Sequence, residues 1–143
     1  MTSFFPDVNV WLALTYEHHA HHESAAQWLE GTEQSVFFCR LTQLGLLRLL
    51  TNETLMAEDV LTQRKAWQAY RRWLDDERVS VHDEPDSARL ESTFEELSTR
   101  SRRSTKRWTD AYLAAFARTA GLTLVTFDRA LRTMPSVTVE LLA

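Results

Sequence analysis

The sequence predicts an α/β fold, in which a mostly parallel central sheet is covered by helices on both faces, in a single domain spanning residues 1–143. Three observations carry this. Short apolar runs rich in β-branched and aromatic residues alternate with helix-patterned stretches along the whole chain, the order expected of a parallel sheet. Only three glycines and three prolines occur in 143 residues, which favours many helices and short turns. That length suits one core and is too short for two ordinary domains.

The elements follow in order. Phe4 and Phe5 suit a short first strand, and Val10 to Tyr16 a helix. A second helix is predicted from about His21 to Glu30, with Ala25, Trp28 and Leu29 turned inward. "SVFFC" reads as the second strand. Thr42 is a suitable cap for a helix to about Leu50, along which Leu44, Leu47 and Leu50 recur at helical spacing. Asp59 is placed to start a long helix through Trp73. "RVSVH" is a third strand, Asp86 to Thr99 a helix, and Thr109 to Ala120 another that ends at Gly121, a residue suited to a left-handed cap. "LTLVTF" and "SVTVELL" complete the sheet. No internal repeat or low-complexity segment interrupts this order.

Several function classes are disfavoured. No apolar run approaches the roughly 20 residues of a membrane span. The N-terminus lacks the basic start and apolar core of a signal peptide. Cys39 is the one cysteine, so an internal disulfide and a Cys-only zinc site are excluded. A cytoplasmic protein is expected. The net charge of −4 does not suggest a general nucleic-acid coat, but the charge is uneven. The stretch "STRSRRSTKRW", Ser98 to Trp108, holds Arg100, Arg102, Arg103, Lys106 and Arg107 and no acid. Setting those five aside leaves 11 of the 16 Lys and Arg against 20 Asp and Glu, a net charge of −9. The stretch is either a solvated surface loop or a patch that steers phosphates.

The acids carry the functional signal. In a parallel α/β sheet, ligands bind beyond the carboxyl ends of the strands. Asp7 follows the first strand and Asp128 follows "LTLVTF", so both belong to that edge. Asp110 opens the helix that feeds the same strand. That helix and strand each span roughly 16 Å, so the chain runs down one and back along the other. Asp110 and Asp128 therefore return to one edge. Any single Asp is explained by a helix start or a turn, Asp110 especially. Three converging carboxylates repel one another and call for a positive group among them. Oxygen ligands without cysteine suit Mg²⁺ or Mn²⁺. Such an ion could bind a phosphate oxygen and activate water.

Other candidates have plainer readings. His18, His19, His21 and His22 match no standard zinc spacing and suit a helix start, with contact to RNA or a partner as the alternative. Cys39 suits a packed core thiol, since no His–Asp partner is evident for it. "RKAWQAYRRW" mixes basic and aromatic residues, but Trp67, Tyr70 and Leu74 share one helical face, which predicts core packing or a dimer or partner surface.

The segments "DVNVWLALTYEHHAHHESAAQWL", "CRLTQLGLLRLLTN", "TDAYLAAFAR" and "LVTFDR" occur in an order and spacing that resembles the PIN-domain ribonucleases, specifically VapC-type toxins. The resemblance covers nearly the whole chain. It implies an α/β/α sandwich and Mg²⁺- or Mn²⁺-dependent cleavage of RNA to 5′-phosphate and 3′-hydroxyl ends. It also implies a homodimer and inhibition by a VapB-type antitoxin. On this chain it makes Asp7, Asp110 and Asp128 the catalytic and metal-holding acids. Asn9, Thr126 and Arg48 match supporting positions. Gln43 stands where many relatives have an acid, so metal affinity is expected to be lower or to rest on the other three. The basic residues from Arg100 to Arg107 enter just before Asp110 and could hold the RNA backbone. Two other functions stay open. One is a phosphatase with Asp7 as nucleophile, disfavoured because Asn9 stands where such enzymes need a second acid. The other is a PIN-like module that binds RNA or an antitoxin without cutting.

Overall fold

The structure, a computed structural model, describes residues 2–100 and 102–143; Ser101, within the basic stretch, lies outside them. Five short strands form the sheet: β1 (Phe4–Pro6), β2 (Val36–Phe38), β3 (Val79–Val81), β4 (Thr123–Thr126) and β5 (Val139–Leu141). Their order is β3-β2-β1-β4-β5, and every neighbouring pair is parallel. The helices are α1 (Val8–Thr15), α2 (His22–Glu30), α3 (Arg40–Leu50), α4 (Glu53–Met56), α5 (Gln63–Leu74), α6 (Ser87–Ser98) and α7 (Arg107–Ala120), with 3-10 turns at Ala57–Asp59 and Arg129–Thr133.

Period-two alternation along the strands divides the core between the two faces. On one face, Val36, Phe38 and Val125 pack with Trp11, Leu46, Leu50 and Tyr70 of α1, α3 and α5. Trp11 lies parallel to Phe38 at 3.7 Å between ring centroids. On the other face, Phe5 and Leu124 meet Leu97, Leu113 and Phe116 of α6 and α7. Phe5 stacks on Phe116 at 4.7 Å. Both rings are fully buried, and each contributes about 1.5–3 kcal/mol by leaving water. This two-faced burial makes the α/β/α layering.

Local boundaries differ from the predicted ones for identifiable reasons. Helix α3 begins at Arg40, and its cap is Cys39; Thr42 lies inside the first turn, where its hydroxyl accepts from the Cys39 N–H at 2.9 Å. Helix α5 begins at Gln63, because the Thr62 hydroxyl accepts from the Lys65 N–H; Asp59 belongs to the preceding 3-10 turn. The inward stripe of α5 is Ala66, Tyr70 and Trp73, spaced i, i+4 and i+7. Trp67 and Leu74 lie to one side of it and are exposed, contrary to the predicted face. Leu44 is also exposed, whereas Leu50 is buried. Gly121 closes α7 at φ 71°, the left-handed cap expected there.

Candidate active site

Parallel pairing of β1 with β4 aligns Pro6 with Val125, so both strands end together at the carboxyl edge of the sheet. The residues that follow each strand then carry chemistry. Asp7 leaves β1 in extended conformation and caps α1, its Oδ1 accepting from the Val10 N–H at 3.0 Å. Its main-chain N–H donates to the Val125 carbonyl. Its Oδ2 accepts from the Thr126 hydroxyl at 2.6 Å. That same hydroxyl oxygen accepts from the Asp128 N–H at 2.9 Å. Thr126 is fully buried and so ties the Asp7 carboxylate to the Asp128 main chain. Asp128 caps the 3-10 turn that follows, with Oδ1 accepting from the Ala130 N–H. Asp110 comes from the first turn of α7, where Arg107 lies 3.8 Å from its Oδ2.

The electrostatics bind these three together. Burial pushes the Asp7 carboxyl up to about 6; the bonds from Thr126 and Val10 oppose this, and the charges of Asp110 and Asp128 add to it. Burial and then the Asp128 charge raise Asp110, while Arg107 pulls the other way. Three acids from distant parts of the chain therefore share one field, with Arg107 the cation paired to it. Among the described residues, no group of three or more His, Cys, Asp or Glu side chains is close enough together to hold a metal ion as it stands. An open edge of this kind suits Mg²⁺, which keeps several waters and takes only one or two carboxylates. Both oxygens of Asp7 are already engaged by hydrogen bonds, which disfavours it as a covalent nucleophile.

The remaining candidates fall at varying removes. Asn9 is exposed on the first turn of α1. Arg48 is exposed and lines a shallow hollow with Val8, Gly45 and Asn52. Gln43 is buried, and its Oε1 accepts from Arg40 at 2.6 Å. Among the described residues, neither Asn9, Gln43 nor Arg48 shares a hydrogen bond or ion pair with the three acids. Arg100, Arg102, Arg103 and Lys106 are exposed, and Arg107 is half-buried against Asp110. Trp108, next in sequence, is exposed.

The histidines divide. His18 faces Asp59 at 3.3 Å, and the Nδ1 of His22 lies 2.7 Å from the Ala13 carbonyl. His21 stacks on Phe127 at 4.6 Å, which places it beside the residue before Asp128. No spacing rule in the sequence pairs His21 with Phe127, since the contact depends on how α2 crosses the sheet edge. Cys39 is buried, and burial pushes its thiol up, away from the reactive thiolate.

Residues 4–136 match the family described as PIN domain. Over 143 aligned positions the chain is 43% identical to Ribonuclease VapC41 of Mycobacterium tuberculosis, covering 96% of this chain and 97% of that one. The fold is similar to that of VapBC2 from Rickettsia felis bound to a DNA fragment from their promoter, with a TM-score of 0.73, 15% identity and coverage of 99% and 100%. It is also similar to Mycobacterium tuberculosis VapC20, a sarcin–ricin loop cleaving toxin, with a TM-score of 0.69, 21% identity and coverage of 95% and 99%.

Proposed function

The chain belongs to the PIN domain family, and from that premise we propose that it is a divalent-metal-dependent endoribonuclease, the toxin of a toxin–antitoxin pair. The observation that carries this is the Asp7 carboxylate, buried and bonded to Thr126, in the shared field of Asp110 and Asp128. The whole chain, 1–143, is read as the one catalytic domain. Kinship with named VapC ribonucleases supports RNA as the substrate.

Asp7, Asp110 and Asp128 would hold Mg²⁺ or Mn²⁺. When bound, such an ion lowers the pKa of water and neutralises charge on a phosphodiester. Thr126 and the Val10 N–H fix the rotamer of Asp7, so its carboxylate is set before substrate arrives. Asp110 is half-exposed and better placed to orient an attacking water. Arg107 can leave Asp110 for a substrate phosphate, since 3.8 Å is a loose pairing. In-line attack would form a new P–O bond and break the bond to the ribose 3′-oxygen, leaving 5′-phosphate and 3′-hydroxyl ends.

Arg100, Arg102, Arg103 and Lys106 would track the backbone on the way to this edge. A VapB-type antitoxin and a second copy of the chain complete the reading. Exposed Trp67 and Leu74 on α5 are surface that a homodimer could cover. A cytoplasmic site of action is part of the same reading; no helix among the described residues is long and apolar enough to cross a membrane. The test is incubation of purified protein with single-stranded RNA and Mg²⁺. Cleavage that stops on chelation, leaves 5′-phosphates and is absent from Asp7→Asn is expected. Cleavage unaffected by chelation would overturn the metal-dependent reading.

A further inference from the structure

Trp108 stands two residues before Asp110 in the first turn of α7, so the two share the carboxyl edge of the sheet while their side chains leave the helix about 200° apart. It is 58% exposed, the most open of the large apolar side chains among the described residues. Trp is usually well buried, so an indole left in water at this edge calls for an explanation. The ring is steadied on one side by Phe94, edge-on at 6.2 Å. Its surroundings differ in character. A groove of about 460 Å³, lined with Trp108 by Leu41, Leu44 and Tyr112, lies on one side, with Arg40, Thr109 and the Glu84 carboxylate, which accepts from the Tyr112 hydroxyl, supplying polar atoms. A smaller hollow of about 130 Å³ contains Arg102, Arg103 and Arg107 together with Trp108. The indole is thus a wall shared by an apolar groove and a cationic hollow.

We propose that Trp108 is a base-stacking site, on which an unpaired nucleobase of the bound strand lies in the groove while the Arg102–Arg107 segment holds the flanking phosphates. This rests on the endoribonuclease reading and names how the substrate is gripped. Sequence-tolerant binding of single strands combines these two parts, a cationic track for the backbone and aromatic faces for the bases. Charge selects the occupant. Among the described residues, Arg102 and Arg103, which line the hollow with Trp108, form no ion pair, so two uncompensated cations adjoin the aromatic wall, against the single Glu84 carboxylate in the groove. A polyanion bearing flat rings matches that surface. A second copy joined through the same patch would set these cations against their own duplicates.

The test uses full-length Asp7→Asn protein with Mg²⁺ present, so that binding is read without cleavage. Affinity for a short labelled single-stranded RNA is measured by fluorescence anisotropy for this parent and for added Trp108→Ala, Trp108→Leu or Trp108→Phe. Loss of one stacked base corresponds to about 5- to 150-fold. The Ala and Leu variants should weaken by that range and Phe by much less, with the salt slope unchanged because no charge is removed. Scanning one abasic residue along the RNA should reveal a position that weakens the parent and is silent in Trp108→Ala. Unchanged affinity in Trp108→Ala, or equal affinity for Leu and Phe, overturns the proposal. So does loss of a dimer from Trp108→Ala in sedimentation, which would assign the groove to a second copy. A parent that binds no RNA at all sinks the endoribonuclease reading as well, whereas a binding parent indifferent to Trp108 sinks the stacking site alone.

Discussion

At the scale of single residues, the Thr126 hydroxyl is the hinge of the acidic edge, donating to Asp7 and accepting from the Asp128 main chain. Removing it in Thr126→Val leaves a buried carboxylate short of a donor and an N–H short of an acceptor. Such a loss costs about 1–3 kcal/mol. It should also push the Asp7 carboxyl above its present value of about 6, because the Thr126 bond holds it down. A pH–rate profile displaced upward in Thr126→Val and restored in Thr126→Ser is the expected outcome. Asp7 itself sets a pH dependence of stability. Its folded value of about 6 exceeds the ordinary 3.8, so the folded chain keeps a proton that the unfolded chain has released. The associated stability is fully present below about pH 4 and is lost as pH rises through about 6, a difference of about 3 kcal/mol. Asp110 is raised for similar reasons and adds in the same direction. In metal-free buffer, Asp7→Asn should therefore be more stable than wild type at pH 7 by about 1–3 kcal/mol, with a flatter profile between about pH 4 and 6. Asn also caps a helix well, so α1 should keep its start. Denaturant unfolding at several pH values checks this; superimposable profiles would contradict it.

At the scale of elements, α3 shows where sequence reading reaches and where it stops. The family pattern assigns Gln43 to the acid cluster, yet its side chain is bound to Arg40 inside α3. The carboxylate introduced by Gln43→Glu would meet that guanidinium first. This variant should accordingly leave the Mg²⁺ concentration for half-maximal cleavage unchanged; a clear fall would place position 43 among the metal ligands. Gly45, by contrast, carries no sequence signal, but a Cβ there would lie 2.6 Å from Val8 Cγ2. Val8 directly follows Asp7 and is stiff at χ1, so α1 and the acid would have to shift. Gly45→Ala should cost about 1–3 kcal/mol and be rescued by Val8→Ala, as calorimetric melting of the single and double variants would show. The strands, the Gly121 cap and the return of Asp110 and Asp128 to one edge were legible because periodicity and chain length determine them. The inward face of α5 was not, because it depends on which helix lies across which, and that is decided by packing between elements far apart in sequence. The α3 cap and the partner of Gln43 are local contacts three residues apart, but each turns on a rotamer choice that composition and periodicity do not encode.

At the scale of the whole molecule, charge is segregated. A chain of net charge −4 concentrates five cations and no acid between Ser98 and Trp108, and Arg107, one of them, lies 3.8 Å from Asp110. The cations draw in a polyanion that the rest of the surface would repel, and the acids need a counter-ion before that polyanion can approach. Replacing Arg102 and Arg103 by Gln should weaken RNA binding for all sequences alike. It should also flatten the slope of log K against log salt by roughly one or more, at about 0.7 per lost phosphate contact. Equal slopes would return this segment to a solvated loop. The central claim, that Asp7, Asp110 and Asp128 form one cation site, is tested most directly by unfolding the protein at pH 7 across a Mn²⁺ titration. A ligand bound only by the folded state raises stability with its concentration, by about 2.7 kcal/mol at a hundredfold excess over its dissociation constant. Wild type should gain stability steadily with Mn²⁺, and Asp7→Asn and Asp110→Asn, already more stable without metal, should gain little or nothing. A wild type indifferent to Mn²⁺, or variants that gain as much as wild type, would contradict it.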